Sequence, residues 1–338
     1  MLANAPILRA LTYGGIGYDD LCKQGEFHHH RFLRFGNLDD IEKAIECGNR
    51  SLDLITEEHP GMAYRLNCLG NYYYHRHRRL GHLDDLKKSF EYRVRATRLT
   101  LENDPNLPTV LSNLGISYRQ QYQQVGDVAD LEKAIEHFSR ALALTPDGHP
   151  DLPRRHAALG VLYTDRYQRM GDITDLEKAI ECDSRALALT PDGHPDLPGR
   201  HGNLGVSYAD RYRRMGDIND LEKAIECHSR ALALTPDGHP DLPDPHGNLG
   251  VSYRDRYQRM GDINDLEKAT EHSSRALALT PDGHPGLPRR HAALGASYTD
   301  RYQRMGVITD LGKRSNVTLV HLRSLPTATQ TCHTAMAI

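Results

Sequence analysis

Glycine recurs every 45 residues, at Gly36, Gly81, Gly126, Gly171, Gly216, Gly261 and Gly306. A second ladder keeps the same phase through Gly25, Gly70, Gly115, Gly160, Gly205, Gly250 and Gly295. Two ladders in constant phase across seven copies describe one structural unit used repeatedly, and such a chain folds as stacked units, each contacting its neighbours. The blocks Gly171–Met215 and Gly216–Met260 agree at 39 of 45 positions by direct count. A length of 338 residues would otherwise suggest two or three globular domains; the count of units replaces that expectation.

Each unit reads as two helices. In the copy from Pro153 to Met170, Leu159, Tyr163 and Tyr167 are spaced by four with Leu162 beside them, which is the apolar stripe of an amphipathic helix. Pro153 suits a first turn, and Gly171 suits a left-handed residue closing the last one. The spacing predicts a second helix from about Thr174, with Thr174 and Glu177 as a capping box. It continues through Leu176, Ala179, Ile180, Ala186, Leu187 and Leu189 and stops at Pro191. Glu181 with Arg185, and likewise Glu136 with Arg140, Glu226 with Arg230 and Glu271 with Arg275, fall at i, i+4 on a solvated face.

The segment TPDGHPDLP, beginning at Thr145, Thr190, Thr235 and, with one change, Thr280, is a turn between units. Its His149, His194, His239 and His284 lie in separate turns without a second ligand at zinc-like spacing, so they read as turn residues. Cys47, Cys182 and Cys227 hold equivalent places at least one repeat step apart, too far for disulfides, and read as packing residues.

The pattern Leu159-Gly160-x-x-Tyr163 followed by Ala179, Ala186 and Pro191 resembles the tetratricopeptide repeat. It departs from that repeat in two ways. The distance from Tyr163 to Ala179 is longer by about seven residues, and His156, His201, His246 and His291 stand where that family places a large aromatic. The 45-residue unit is most similar to the repeats of fungal multi-repeat proteins that often precede a caspase-like CHAT domain, and distantly to those of kinesin light chain. The resemblance implies an all-α fold, a right-handed superhelical solenoid of antiparallel helix pairs. The array would span residues 18–313 as about 6.5 repeats, after a leader over 1–17 and before a divergent tail over 314–338. The tail begins where EKAIE gives way to GKRSN after Leu311; a truncated or frame-shifted gene model produces such a break, and so does a real divergent tail.

In this family the first helices line a concave groove that receives peptides, at positions flanking the Leu-Gly pair. Those positions hold Asn113, Asn203 and Asn248 before it, with Ala158 and Ala293 in the other copies. After it come Val161, Val206 and Val251, and one turn later Asp165, Asp210, Asp255 and Asp300. The Lys/Asn/Arg set with which chaperone-binding members hold a terminal carboxylate is absent. The Asp positions either form ordinary i, i+4 bridges, Asp165 with Arg169 and Asp210 with Arg214, or favour a basic or polar extended segment.

No catalytic, cofactor or metal site is expected. Gly306–Ser315 has five residues between its glycines where a phosphate-binding P-loop requires four. His28, His29 and His30 with His75 and His77 could place metal ligands on adjacent helices but lack an orienting carboxylate. Cys332-His333 stands in the tail with no fold around it. A net charge of −3 gives no footprint for nucleic acid, and no apolar run of about 18 residues suggests a membrane span. The expected function is a non-catalytic, cytoplasmic protein–protein interaction scaffold binding protein or peptide partners along the groove. Two alternatives stay open: the regulatory array of a larger caspase-like protease or signalling NTPase, and a structural array that self-associates end to end.

Overall fold

A computed structural model describes residues 17–310 together with Gly312 and Lys313. The expected leader, save Gly17, and the expected tail with Cys332-His333 lie outside the described residues. Among the described residues thirteen helices follow one another: α1 Tyr18–Phe35, α2 Leu38–Asp53, α3 Met62–Leu80, α4 Leu83–Leu99, α5 Leu107–Val125, α6 Val128–Ala143, α7 Leu152–Met170, α8 Ile173–Ala188, α9 Leu197–Met215, α10 Ile218–Leu234, α11 Pro243–Met260, α12 Ile263–Ala278 and α13 Leu287–Met305. Among the described residues there is no strand. The chain divides into two compact units, Met1–Leu162 and Tyr163–Ile338.

Within each unit the helices pack as pairs, α1 on α2, α3 on α4 and α5 on α6 in the first, α9 on α10 and α11 on α12 in the second. The second helix of a pair also packs on the first helix of the next, as α10 does on α11. Each pair is joined by two residues. Gly216 closes α9 with φ 76°, its N–H bonded to the Tyr212 carbonyl at 2.7 Å, and no Cβ is present to oppose that conformation. Asp217 then caps α10, its carboxylate accepting from the Asn219 N–H.

The same geometry corrects the expected capping box. Gly171 is left-handed and only Asp172 separates it from Ile173, where α8 begins. Asp172, not Thr174, is therefore the N-cap, and it accepts from the Thr174 N–H at 3.0 Å, one of the orphan donors of the first turn.

In five of the first helices an arginine near the end reaches over this link to an aspartate near the start of the second helix. Arg211 donates from Nε and Nη2 to the two carboxylate oxygens of Asp220, both at 2.7 Å. Arg76 with Asp85, Arg166 with Asp175, Arg256 with Asp265 and Arg301 with Asp310 repeat the arrangement nine residues apart. Asp220 is buried, so this bidentate pair replaces the hydration that its carboxylate loses. Each arginine also lies over the ring of a tyrosine three residues earlier, as Arg211 does over Tyr208.

The interior of the second unit is formed by buried Leu176, Ala179, Ile180 and Ala186 on α8, Leu204 on α9, and Leu221 and Ile225 on α10 against Leu249 on α11. In the first unit Phe32, Ile41, Ala44, Ile45, Leu69, Tyr72 and Tyr73 form one cluster. Leu159 is likewise buried. The second glycine ladder marks close helix contacts: a Cβ on Gly205 would stand 2.5 Å from the His228 ring, and one on Gly115 would stand 2.6 Å from Phe138. Cys22, Cys47, Cys68, Cys182 and Cys227 are free.

The turn histidines have a structural task. His149, His194, His239 and His284 each accept at Nδ1 from the backbone N–H two residues on, at 3.0–3.2 Å, which fixes the turn before the next helix. One expected surface pair is differently arranged: Arg140 pairs with Glu102 in the loop before α5, not with Glu136.

Candidate functional site

The first helices of the second unit touch one another, α9 with α11 and α11 with α13, and their shared face holds a groove of about 1350 Å³. Asn203, Val206, Asp210, Asn248, Val251 and Ala293 line it, with Asn203, Val206, Asn248 and Val251 half-buried. These are expected positions, brought together because an interval of 45 residues returns each to the same face of the next first helix.

The remaining expected positions do not line this groove. Asn113 is 5% exposed and donates to the Asn67 side chain at 2.9 Å, so it is an interior pair in the first unit. Val161 and Asp165 are half-buried on α7 and neither lines the groove. Asp255 and Asp300 lie outside its lining as well.

The aspartate edge is a cross-repeat clamp. Arg213 donates from Nη1 to Asp210 at 2.8 Å and from Nε to Asp255, one repeat on, at 3.1 Å. Asp210 also accepts from Gln168 at 3.3 Å. Asp300 accepts from Arg254 at 2.7 Å and from Gln258 at 3.2 Å. The expected partner of Asp210 four residues on, Arg214, is replaced by Arg213 at three, because Arg213 is the one placed to reach the next first helix too. Burial pushes the Asp255 carboxyl up, and the Arg213 charge opposes that shift.

Other residues of the groove become visible through the differences between the two near-identical blocks. The six differing pairs are Thr174/Asn219, Asp183/His228, Gly199/Asp244, Arg200/Pro245, Ala209/Arg254 and Arg213/Gln258. In all but the first, at least one member lines the groove: His228, Gly199 and Asp244, Arg200 and Pro245, Ala209, and Arg213. The sequence did contain this signal; reading it requires knowing which face the positions share. Gly199 and Gly202 leave the wall recessed, with nothing within 4 Å of a Cβ at either, where the block before carries Arg154 and Ala157.

The charged side chains here are largely matched within the chain. Arg200 holds Asp196 at 2.8 Å and Arg290 holds Asp244 at 2.7 Å. The floor differs. His228, Ser252 and Ser273 line it at 1%, 1% and 2% exposure, and His228 Nδ1, Ser252 Oγ and Ser273 Oγ have no hydrogen-bond partner in the chain. Burial, with a smaller contribution from the charge of Arg213, pushes the His228 imidazole down to about 4, so it is neutral near pH 7.

The amino-terminal histidines disperse. His28 bonds Asp40 at 2.8 Å, His77 bonds the His82 carbonyl at 2.8 Å, and His29 packs on the rings of Tyr72 and His75. Among the described residues no group of three His, Cys, Asp or Glu side chains could hold a metal ion. No helix among them is long and apolar enough to cross a membrane.

A family model for the tetratricopeptide repeat matches residues 202–241. Among solved structures, the chain is similar to the assembly chaperone of RpL4 (Acl4), at 17% identity over 89% of this chain and 99% of that one, with a TM-score of 0.53. The APC/C hetero-tetramer Cut9–Hcn1 matches at 15% identity over 96% of this chain and 57% of that one, also with a TM-score of 0.53. The nearly identical tetratricopeptide-like repeats of Podosopora anserina, named there after kinesin light chain, match at 16% identity over 64% and 98%, with a TM-score of 0.46. No curated protein sequence matches the chain.

Proposed function

We propose that this chain, whose residues 202–241 match a tetratricopeptide repeat model, is a non-catalytic scaffold whose second unit holds an extended polypeptide segment in the groove along α9, α11 and α13. The observation that carries this reading is where the two near-identical blocks part: five of their six differing pairs reach the groove lining, whereas the residues that hold the helix pairs together repeat almost unchanged. A purely structural face would be free to repeat as they do.

Asn203 and Asn248 offer side-chain amides that can donate to and accept from a peptide backbone, and Val206 and Val251 offer apolar contact between them. Because Asp210 and Asp255 are already held by Arg213, the groove suits a neutral or mixed-charge segment better than a basic one.

Selection of phage-displayed random 12-residue peptides on the purified full chain tests this. Binders are expected, and Asn203→Ala combined with Asn248→Ala should weaken them at least about tenfold, or roughly 1.4 kcal/mol, with helicity unchanged. A selection without binders, or binders indifferent to that double substitution, would sink the reading.

A further inference from the structure

The turns before α9, α11 and α13 each leave one N–H donor on the rim of the groove. His194, His239 and His284 line the groove, are exposed, and recur at the same interval of 45 residues as the first helices they precede. Each accepts at Nδ1 from the backbone N–H two residues on, that of Asp196, Asp241 and Gly286. A ring nitrogen that accepts carries no hydrogen, so the hydrogen of each imidazole sits on Nε2. The turn therefore fixes the tautomer as well as the backbone, and Nε2–H faces away from it as a donor. The rim presents three equivalent donors, one per repeat, and the side chain of the middle one, His239, is 45% exposed.

The spacing of this row selects a backbone conformation. α9 packs on α11 and α11 on α13, and helices packed directly have axes about 8–10 Å apart. The histidine row repeats at about that step, as do Asn203 with Asn248 and Val206 with Val251. Polyproline II advances about 3.1 Å per residue with three residues per turn, so one turn covers about 9 Å and brings the same face of the segment to each repeat. A β-strand covers a similar length in three residues but then shows the opposite face, because its side chains alternate. Polyproline II also makes no internal hydrogen bonds, and proline has no N–H. A segment of this kind offers carbonyl acceptors, which a row of Nε2–H donors complements.

We propose that the groove takes a proline-rich segment in polyproline II conformation with proline at every third residue. Val206 and Val251 meet successive prolyl rings, and the Nε2–H groups of His194, His239 and His284 donate to backbone carbonyls. The proposal rests on the groove-binding reading above and adds the conformation and period of the bound segment. The guanidinium groups of Arg200, Arg213 and Arg290 are engaged with Asp196, with Asp210 and Asp255, and with Asp244, so contact led by an uncharged backbone disturbs none of these pairs. Proline fixes φ before binding, which lowers the cost of ordering the segment.

The array supplies its own fold-preserving control. Asp104 stands one repeat before His149 in the equivalent turn and accepts from the Asn106 N–H through Oδ1 at 2.7 Å, so a short side-chain oxygen holds this turn without a ring. His194→Asn, His239→Asn and His284→Asn together keep such an oxygen and remove the Nε2–H row. The experiment is selection on the full chain from phage-displayed 12-residue peptides, followed by affinity measurement with synthetic peptides. One library carries four prolines spaced by three, a second carries four spaced by two, and a third is fully random. Groove binders, recognised by weaker binding to the Asn203→Ala, Asn248→Ala chain, should come from the first library. Respacing the prolines of the best one by two should weaken it at least about tenfold on the natural chain. The triple asparagine variant should weaken the original peptide at least about tenfold with helicity unchanged. The respaced peptide needs no variant, so the test stands should the triple variant unfold. Groove binders that tolerate respacing, that bind a folded triple variant unchanged, or that arise only without the three-residue spacing would each overturn the polyproline II reading while leaving groove binding intact. An absence of binders from all three libraries would overturn both.

Discussion

Arg213 on α9 joins two first helices at once, giving Nη1 to Asp210 on its own helix at 2.8 Å and Nε to Asp255 on α11 at 3.1 Å. The carboxylates are 13% and 16% exposed and the guanidinium 44%, so solvent screens the cation more than the anions. Arg213→Ala leaves both carboxylates without this partner and should lower stability by about 1 kcal/mol, a modest value because the arginine is half in water. Arg213→Gln should cost less, since Gln168 and Gln258 occupy this place in the flanking repeats and donate to Asp210 and Asp300. Denaturant midpoints of the two variants would check the order; equal losses would show that the cross-repeat bond contributes nothing.

A larger penalty is expected one step away. Asp220 is 3% exposed and its carboxylate receives both donors from Arg211. Arg211→Ala should therefore cost about 3 kcal/mol, because it strands a buried charge. Adding Asp220→Ala to Arg211→Ala should recover part of the loss. A double variant no more stable than the single one in chemical denaturation would contradict this account.

Three glycines should respond with different signs. Gly216→Ala forces a side chain into φ 76° and should destabilise by about 1 kcal/mol. Gly205→Ala drives a methyl into the His228 ring and should cost about 1–3 kcal/mol. Gly202→Ala, inside α9 with nothing within 4 Å of the new Cβ, should stabilise by about 0.5–1 kcal/mol. Thermal unfolding of the three variants reads the order directly.

Two buried residues at the same repeat position should bend the pH–stability curve in opposite directions. Burial pushes the Asp183 carboxyl up to about 7, against the opposing effects of the Ser207 hydrogen bond and the Arg200 charge. Between its ordinary value and 7 the folded chain holds the proton more tightly than the unfolded chain, so its contribution falls as pH rises through that window. His228 is pushed down to about 4; between 4 and its ordinary value the unfolded chain binds the proton more tightly, so stability falls as pH drops. Asp183→Asn should flatten the first slope and His228→Ser, the residue type of the next repeat, the second. Melting temperatures from pH 4 to 8 test both, and unchanged slopes would contradict the assignments.

The helix pairs, their order and the left-handed glycines could be read from the sequence because each depends on local spacing. Thr174 and Asp172 are both capping residues, and the choice between them was settled by Gly171, whose left-handed turn leaves room for only one residue before α8. The fate of the aspartates was hidden for a different reason: spacing along one helix suggests Arg214, while the bond that forms also depends on the neighbouring helix. The orphaned floor atoms were hidden in the same way, since His228, Ser252 and Ser273 lie on three helices. The six positions at which the two near-identical blocks differ are plain in the sequence, but that five of those pairs reach one groove shows only once the helices share a face.

The bond from Met215 to Gly216 has the same flanking chemistry as those from Met170 to Gly171, Met260 to Gly261 and Met305 to Gly306. Excising residues 216–260 would join Met215 to Gly261 and recreate a Met-Gly joint the chain already uses, with the left-handed glycine and its capping aspartate intact. Misaligned recombination between such similar stretches of coding sequence can thus lengthen or shorten the array by whole units without creating an unfamiliar junction. A change in copy number rearranges the groove by adding or removing one set of its variable residues, so new binding surfaces can arise in a single heritable step.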